Sequence, residues 1–402
     1  MLSYEYLQNF SEKINSHLLI ALIFVIPFST ALGSIFSALI LVFWLINGKF
    51  SEQYHRIKGN KVVIASLMIF VLHIVGLLWT ADIDWGLQML KKQWKFLMIP
   101  IFMLYVKKEH IRYYIYAFVL AMSISEAISY GIWFELIEPF MSASVNNPTP
   151  FMTHITYNPL LAIAIYLIAS DMLFHRQEAG YKQWLYLFFL ITMTVNMFIT
   201  GGRSGQVMLF LVILILSLQY FGHKNIKSLV FALFIGGGVF FLAYTASPLF
   251  HERVNMAVNN TLNYEEKKNS SVGRRISFAL NGMQVFASNP IIGVGTGDLP
   301  SAMKVVHKIN TPEVKAPDNP HNMYVMWLVQ FGLTGLLALL WLFYVQVQFA
   351  LSNANQFMKR LGVTLPALFF VANFGESYLS IHSTSLLFAV FSAVVYSKPR
   401  TT

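Results

Sequence analysis

Repeated apolar runs of roughly 17 to 25 residues, each long enough to cross about 30 Å of hydrocarbon, constrain this 402-residue chain more than any other feature. A lipid interior offers no water to backbone N–H and C=O groups, so runs of this kind fold as helices that satisfy those groups internally. The charge content excludes a large soluble core. Only 11% of residues are Asp, Glu, Lys or Arg, against about 25% in soluble domains, and the mean hydropathy is +0.58. The expected fold is an all-α polytopic membrane protein, a single membrane domain over residues 1–402. The first apolar run lacks a small-residue cleavage site and continues into further spans, so no secretory signal peptide is expected. The absence of cysteine excludes disulfides and thiolate metal ligands.

About twelve spans are predicted, at 16–32, 34–48, 62–79, 95–106, 113–134, 157–174, 184–200, 204–221, 228–247, 322–346, 363–380 and 382–397. Nine fill residues 16–247, a long outer loop takes 248–321, and three occupy 322–397. Cytoplasmic loops collect Lys and Arg, which orients the set. With both termini cytoplasmic, the inner side holds Lys13, Lys49, Arg56, Lys58, Lys61, Lys107, Lys108 and Arg112 from the first half. Arg176, Lys182, Lys224, Lys227, Lys359, Arg360, Lys398 and Arg400 follow from the second. Short outer loops keep only Lys91, Lys92, Lys95 and Arg203; the remaining cations lie in 248–321, where the rule is weak. The net charge of +10 fits attraction to an anionic inner leaflet. Nucleic acid is not an expected partner, because no soluble basic domain and no basic stripe interleaved with aromatics is present. His73, Glu126, Asp171, Glu376 and His382 fall within or near spans, where ionisable side chains are functional candidates. Glu376 reads as the deepest.

No HExxH, CxxC, Walker loop or GxSxG occurs, so metal, nucleotide and serine-hydrolase chemistry lack support, and neither a metal nor a cofactor is expected. "IIGVGTGD" (291–298) looks like a nucleotide-binding glycine loop, but it has no strand before it and reads as a turn. The informative residues are cations on the outer side. In "LLWTADIDWGLQMLKKQWKF" (77–96), Leu87, Leu90, Trp94 and Leu97 share a helical face, giving an interfacial helix whose Lys91, Lys92 and Lys95 either bind headgroups or snorkel. In "MFITGGRSGQVML" (197–209), a Gly-Gly turn sets Arg203 at the first turn of a helix. A cation there opposes the helix dipole unless an anion compensates, and a guanidinium matches phosphate bidentately.

In "NSSVGRRISFALNGMQVFASNPIIGVGTGD" (269–298), a Ser-Ser-Val-Gly start signal opens a helix at Arg274 and Arg275, with Ile276, Leu280, Met283 and Phe286 at helical spacing. Finally, "PDNPHNMYVMW" (317–327) puts His321 at the mouth of a span that His321 or Asn322 can cap. Tyr324 and Trp327 fit an aromatic belt. A histidine titrates near neutral pH and can orient or deprotonate a hydroxyl. With three cation groups on the same side, the set suits displacement of a lipid diphosphate leaving group.

These segments resemble the O-antigen ligase (WaaL/Wzy_C-type) family of bacterial inner-membrane glycosyltransferases. The resemblance runs through "WTADIDWGLQML", "HITYNPLLAIAIYL", "FITGGRSG", "SSVGRRISFALNGMQVFASNPIIGVGTGDLP" and "PHNMYVMWLVQFGLTGLLALL", most of residues 60–390. It implies a GT-C-like fold and an inverting, metal-independent glycan transfer. The donor is glycan-linked undecaprenyl diphosphate, the acceptor is lipid A–core oligosaccharide, and the active site faces the periplasm of a Gram-negative cell. Residue by residue, it makes His321, Arg203 and Arg275 the catalytic candidates, with Arg274 a one-residue alternative to Arg275. Lys91, Lys92, Lys95, His154, Asn322, Tyr324, Glu376 and His382 are substrate-binding candidates. Thr80 stands where serine is usual, and Glu376 departs from the family pattern in "NFGESYLSIHSTSLLFA" (373–389). O-antigen polymerase and O-linked protein oligosaccharyltransferase are the neighbouring readings. The chain ends at Lys398–Thr402 just after its last predicted span, which favours ligase or polymerase. A lipid-linked sugar flippase is the reading from another class, but it predicts inverted repeats and midplane charges.

Overall fold

The computed structural model describes residues 4–174 and 180–398; Arg176 and Arg400, two of the inner cations, lie outside the described residues. Among these the chain is all-helical, with no strand and only an isolated bridge between Ser144 and Asn147. It opens with α1 (Tyr4–Val25), α2 (Thr30–Asn47), a short α3 (Phe50–Ile57) and α4 (Lys61–Val75). α5 (Ile83–Lys92) and α6 (Trp94–Leu104) precede α7 (Ile111–Trp133), α8 (His154–Phe174), α9 (Gly180–Ile199), α10 (Arg203–Phe221) and α11 (Ile226–Ala246). The long polar segment holds α12 (Pro248–Leu262), α13 (Ser271–Ser288) and α14 (Leu299–Asn310). α15 (Met323–Leu351), α16 (Gln356–Ala372) and α17 (His382–Tyr396) complete the order.

Among the described residues, eight segments are long and apolar enough to cross a membrane, judged by length and composition: Thr30–Asn47, Lys61–Trp79, Lys108–Trp133, His154–Phe174, Gly180–Ile199, Arg203–Phe221, Ile226–Ala246 and Met323–Leu351. The polytopic helical class follows. The other four predicted positions also hold helices, but shorter or more polar ones: α6 has 11 residues, α16 has 17, α17 has 15, and α1 stops at Val25 before Pro27.

Three sequence expectations change, each for a local reason. The span predicted at 363–380 is shifted, because Asn355 caps α16 by accepting from Phe357 and Met358 N–H at 3.0 and 3.1 Å. α16 ends at Ala372, so Glu376 sits in the turn before α17 and not in a span. The amphipathic helix of 77–96 is divided at Gln93 (φ −91°, ψ 1°), which separates Leu87 and Leu90 from Trp94 and Leu97. Lastly, α13 starts three residues earlier than expected, at Ser271, with Ser270 Oγ accepting the Gly273 N–H at 3.0 Å, and it buries a different face. Gly273, Ser277, Phe278, Asn281, Gly282 and Val285 are buried, while Leu280 and Met283 are 57% and 43% exposed. Small and polar side chains permit the close packing of α13 on α15, and Asn281 Nδ2 finds Thr311 Oγ1 at 2.8 Å.

The chain packs as two compact units. One comprises Met1–Glu12, Trp44–Val106 and Asn255–Arg400, the other Lys13–Phe43 and Lys107–Val254. The first unit is organised by a break in α15, where Gly332 leaves helical geometry (φ 61°, ψ −147°). The "IIGVGTGD" turn runs into that break. Val294 and Gly295 N–H donate to Val329 and Gln330 carbonyls at 2.9 Å, and Leu333 and Thr334 N–H donate to Pro290 and Ile291 carbonyls at 2.8 and 3.2 Å. Backbone groups freed by the kink are thus satisfied within the protein, the condition for irregular backbone among apolar helices. Gly293 and Gly332 both have positive φ, and a Cβ on either would overlap the opposing backbone.

The same turn is tied to α4 and the segment after it. Thr296 Oγ1 donates to His73 O at 2.7 Å, and Gln330 Nε2 donates to Thr296 O at 2.7 Å. Asp298 accepts the Ala81 and Asp82 N–H groups at 2.8 Å each. The "WTADIDW" and "GTGD" motifs therefore meet as one structural joint. In the second unit, Asn158 of the buried helix α8 fixes the end of α9. Its Nδ2 donates to Met197 and Gly202 carbonyls at 3.3 and 3.2 Å, and Thr200 Oγ1 donates to its Oδ1 at 2.7 Å.

Candidate active site

In the first unit, the chain entering α15 forms a corner around His321. Of the two cap candidates, Asn322 is the cap: its Oδ1 accepts from Tyr324 and Val325 N–H at 3.0 and 3.1 Å. Capping fixes the backbone just before it, and His321 takes φ +53°, a region uncommon for residues other than glycine. Asn319 holds that conformation by accepting the His321 N–H at 3.0 Å. Tyr324 serves packing, with its hydroxyl donating to Phe370 O at 2.6 Å and its ring 4.5 Å from that of Phe374.

His321 Nδ1 lies 2.5 Å from Glu376 Oε2. The other carboxylate oxygen accepts from Asn319 Nδ2 at 3.1 Å and from the Ser377 N–H at 2.9 Å; Ser377 Oγ donates to Asn319 Oδ1 at 2.8 Å. Burial pushes the Glu376 carboxyl up, but the hydrogen bond and charge of His321, the Ser377 N–H and Arg275 together hold it below the ordinary carboxylate value. An ionised carboxylate only accepts, so Nδ1 carries the proton of this hydrogen bond and Nε2 is the ring nitrogen left for a ligand. The Glu376 side chain is 3% exposed and that of His321 39%. The pair is therefore a buried orienting group beneath an open imidazole. Phe278 of α13 stacks on the imidazole at 6.3 Å and 23°.

α13 also separates its two arginines. Arg275 is half-buried and within electrostatic reach of Glu376, whereas Arg274 is exposed. Of the lysines, Lys91 and Lys92 are exposed, while Lys95 is 4% exposed, with Nζ donating to Lys92 O at 2.9 Å and lying 5.2 Å from the Trp94 ring centre. His382 opens α17 with its ring 6.1 Å from that of Trp94. His73 is a packing residue whose Nδ1 contacts Ile69 O at 2.8 Å.

The second unit carries Arg203 at the first position of α10. The turn before it is held by Asn147, whose Oδ1 accepts the Gly201 N–H at 3.0 Å and whose Nδ2 meets His154 Nδ1 at 3.0 Å. His154 thus braces this turn. Asp171 accepts from the Tyr186 hydroxyl at 2.9 Å, and Glu126 is buried in α7. Sequence reasoning did not find Asn319, Ser377 or the pairing of Glu376 with His321. The signal lay in two polar dipeptide patterns 55 residues apart, which only the fold brings together.

These features define an all-helical membrane protein with a carboxylate-oriented histidine at a helix start in one unit and an arginine-bearing glycine turn in the other. Residues 188–340 match the family model described as O-Antigen ligase (Wzy_C), so that part of the chain is similar to the family its motifs resemble. An uncharacterized protein of Haemophilus influenzae is 27% identical over 219 residues, 52% of this chain and 54% of the relative. The chain thus spans about half the length of that curated relative.

Proposed function

We propose that the chain is an O-antigen ligase, transferring a glycan from undecaprenyl diphosphate to lipid A–core oligosaccharide at the periplasmic face of a Gram-negative inner membrane. The observation that carries this reading is the His321–Glu376 pair, taken with the family match over 188–340. The acceptor hydroxyl oxygen attacks the anomeric carbon from the face opposite the diphosphate. As the new C–O bond forms, the bond to the diphosphate oxygen breaks, and its electron pair leaves with the diphosphate. His321 Nε2 takes the hydroxyl proton, a step worth about 10²–10⁴-fold. Glu376 orients the ring and stabilises the imidazolium. Arg275 and Arg203 supply the positive charge that a departing diphosphate requires, and guanidinium is suited to it. Residues 248–321 form the periplasmic segment of a GT-C-like enzyme, and both termini are cytoplasmic.

Purified protein reconstituted with lipid-linked O-antigen and lipid A–core tests this directly. Capping of the core without ATP or divalent metal is the expected result. Elongation of the donor alone makes the chain a polymerase, and capping at the normal rate by His321→Ala removes the histidine from the chemistry.

A further inference from the structure

The turn that carries Arg203 holds a second cation from a distant part of the chain. Arg253, on α12, lies so close to Gly201 that a Cβ there would stand 2.8 Å from its Nη2 and 2.9 Å from its Cζ. α12 is fixed in place by its first residues. Ser247 Oγ donates to Phe198 O at 2.8 Å and accepts the Phe250 N–H at 3.2 Å, and the Phe250 ring packs on Phe198 at 4.9 Å. Arg253 lies three residues after Phe250, on the same helical face, and so is directed at the end of α9.

The partners of this guanidinium are incomplete. Its Nε is buried without a hydrogen-bond partner, and among the described residues no carboxylate lies within ion-pair distance of Arg253. A buried donor on a permanently charged group is costly to leave unmet. An anion is the ligand that offsets both the charge and the lost hydrogen bond.

An apolar cleft of about 520 Å³ is built from the same elements. Phe198 and Ile199 line it just before the Gly201 turn, Leu249 lines it at the start of α12, and Leu242 and Val239 come from α11. Two arginines near the Gly201 turn, with an apolar cleft lined by the residues just before that turn and by the start of α12, suit an amphiphile with an anionic head and a hydrocarbon tail.

We propose that Arg253 is a binding residue which, with Arg203, holds the phosphates of a polyprenyl diphosphate whose tail enters this cleft. The inference rests on the reading of the chain as a user of lipid-diphosphate donors and adds a residue and a tail site to it. Gly201 belongs to the device, because only a residue without Cβ leaves room for the guanidinium. The obstacle at Gly201 is the flexible end of Arg253. Gly201→Ala therefore displaces the guanidinium and leaves the fold intact, unlike Gly205→Ala, whose Cβ would meet the Asn158 backbone.

The test is equilibrium binding of labelled undecaprenyl diphosphate to purified full-length protein in nanodiscs, with unlabelled phosphatidylglycerol and inorganic pyrophosphate as competitors. Arg253→Ala and Gly201→Ala are expected to weaken binding by roughly ten- to a hundredfold, as for loss of a charge-assisted hydrogen bond. The double variant should weaken it no further, because both act through one contact. Inorganic pyrophosphate competes only weakly if the cleft takes the tail, and as well as the lipid if it does not, which overturns the tail assignment. Wild-type affinity in both single variants overturns the role of Arg253. Equal competition by phosphatidylglycerol makes the site a headgroup anchor and also overturns it. Arg253-dependent binding without glycan transfer leaves this site standing and removes the proposed function. Glycan transfer with Arg253-independent binding does the reverse.

Discussion

The His321 corner and the Gly201–Arg203 turn each set a nitrogen-bearing side chain at the start of a helix, and they are built by opposite means. At the corner, side chains fill the space: Asn319, Ser377 and Glu376 hydrogen-bond one another, and the cap of α15 sets the backbone. At the turn, an absent side chain makes the space, and Arg253 occupies what Gly201 leaves open. The first arrangement fixes one imidazole in one tautomer, which is what proton transfer needs. The second gathers charge without fixing it tightly, which is what binding a flexible diphosphate needs. The comparison predicts that damage at the corner reduces turnover and damage at the turn reduces donor affinity.

The largest expected effect is at the corner itself. His321→Ala should lower the transfer rate by about 10²–10⁴-fold while the protein still inserts and folds; a loss below tenfold in a reconstituted assay would leave another group as the base. Next come the two neighbouring arginines of α13. Arg275→Ala should cost about tenfold or more, as for a charge-assisted contact, whereas the exposed Arg274→Ala should stay within about threefold, the usual range for surface changes. Similar losses in both would show that burial does not distinguish them. A smaller effect concerns the frame and not the chemistry. Gly332→Ala should destabilise the first unit by about 1–3 kcal/mol, because a strained φ and an overlap at the α15 break are imposed together. Thermal unfolding in detergent measures this.

The smallest effect is a pH dependence. Glu376 has its folded value lowered, so its contribution to stability is present above the ordinary carboxylate value and is lost as pH falls through the folded one. The stability gap between wild type and Glu376→Gln should therefore be full at pH 7 and close on acidification. A gap that widens as the pH drops would contradict the assigned ionisation.

Much of this was legible in the chain itself. Apolar runs gave the helical membrane class, since length and hydropathy are local properties. The cap of α15 was narrowed to His321 or Asn322 and a helix start was readable near 270–273, because capping depends on a few adjacent residues. The buried face of α13 was not readable. Close helix packing favours glycine and serine there, so the more hydrophobic face points away from the contact. The role of "IIGVGTGD" as the piece that completes a broken helix was likewise hidden, because its partners at 329–334 are distant in sequence and meet it through the backbone. Glu376 was noticed as a buried acid but placed in a span, and its partnership with His321 depends on where α16 ends. Arg253 gave no local signal at all, since its position follows from packing of Phe250 and from empty space at Gly201.

In the proposed reaction Glu376 acts through His321 on the reacting hydroxyl. Steady-state transfer by Glu376→Gln, with donor concentration varied, tests it most directly. kcat should fall by about ten- to a hundredfold while the donor KM stays within about twofold, because the lost interaction serves the transition state only. An unchanged kcat with a raised donor KM would contradict it and make Glu376 a substrate contact.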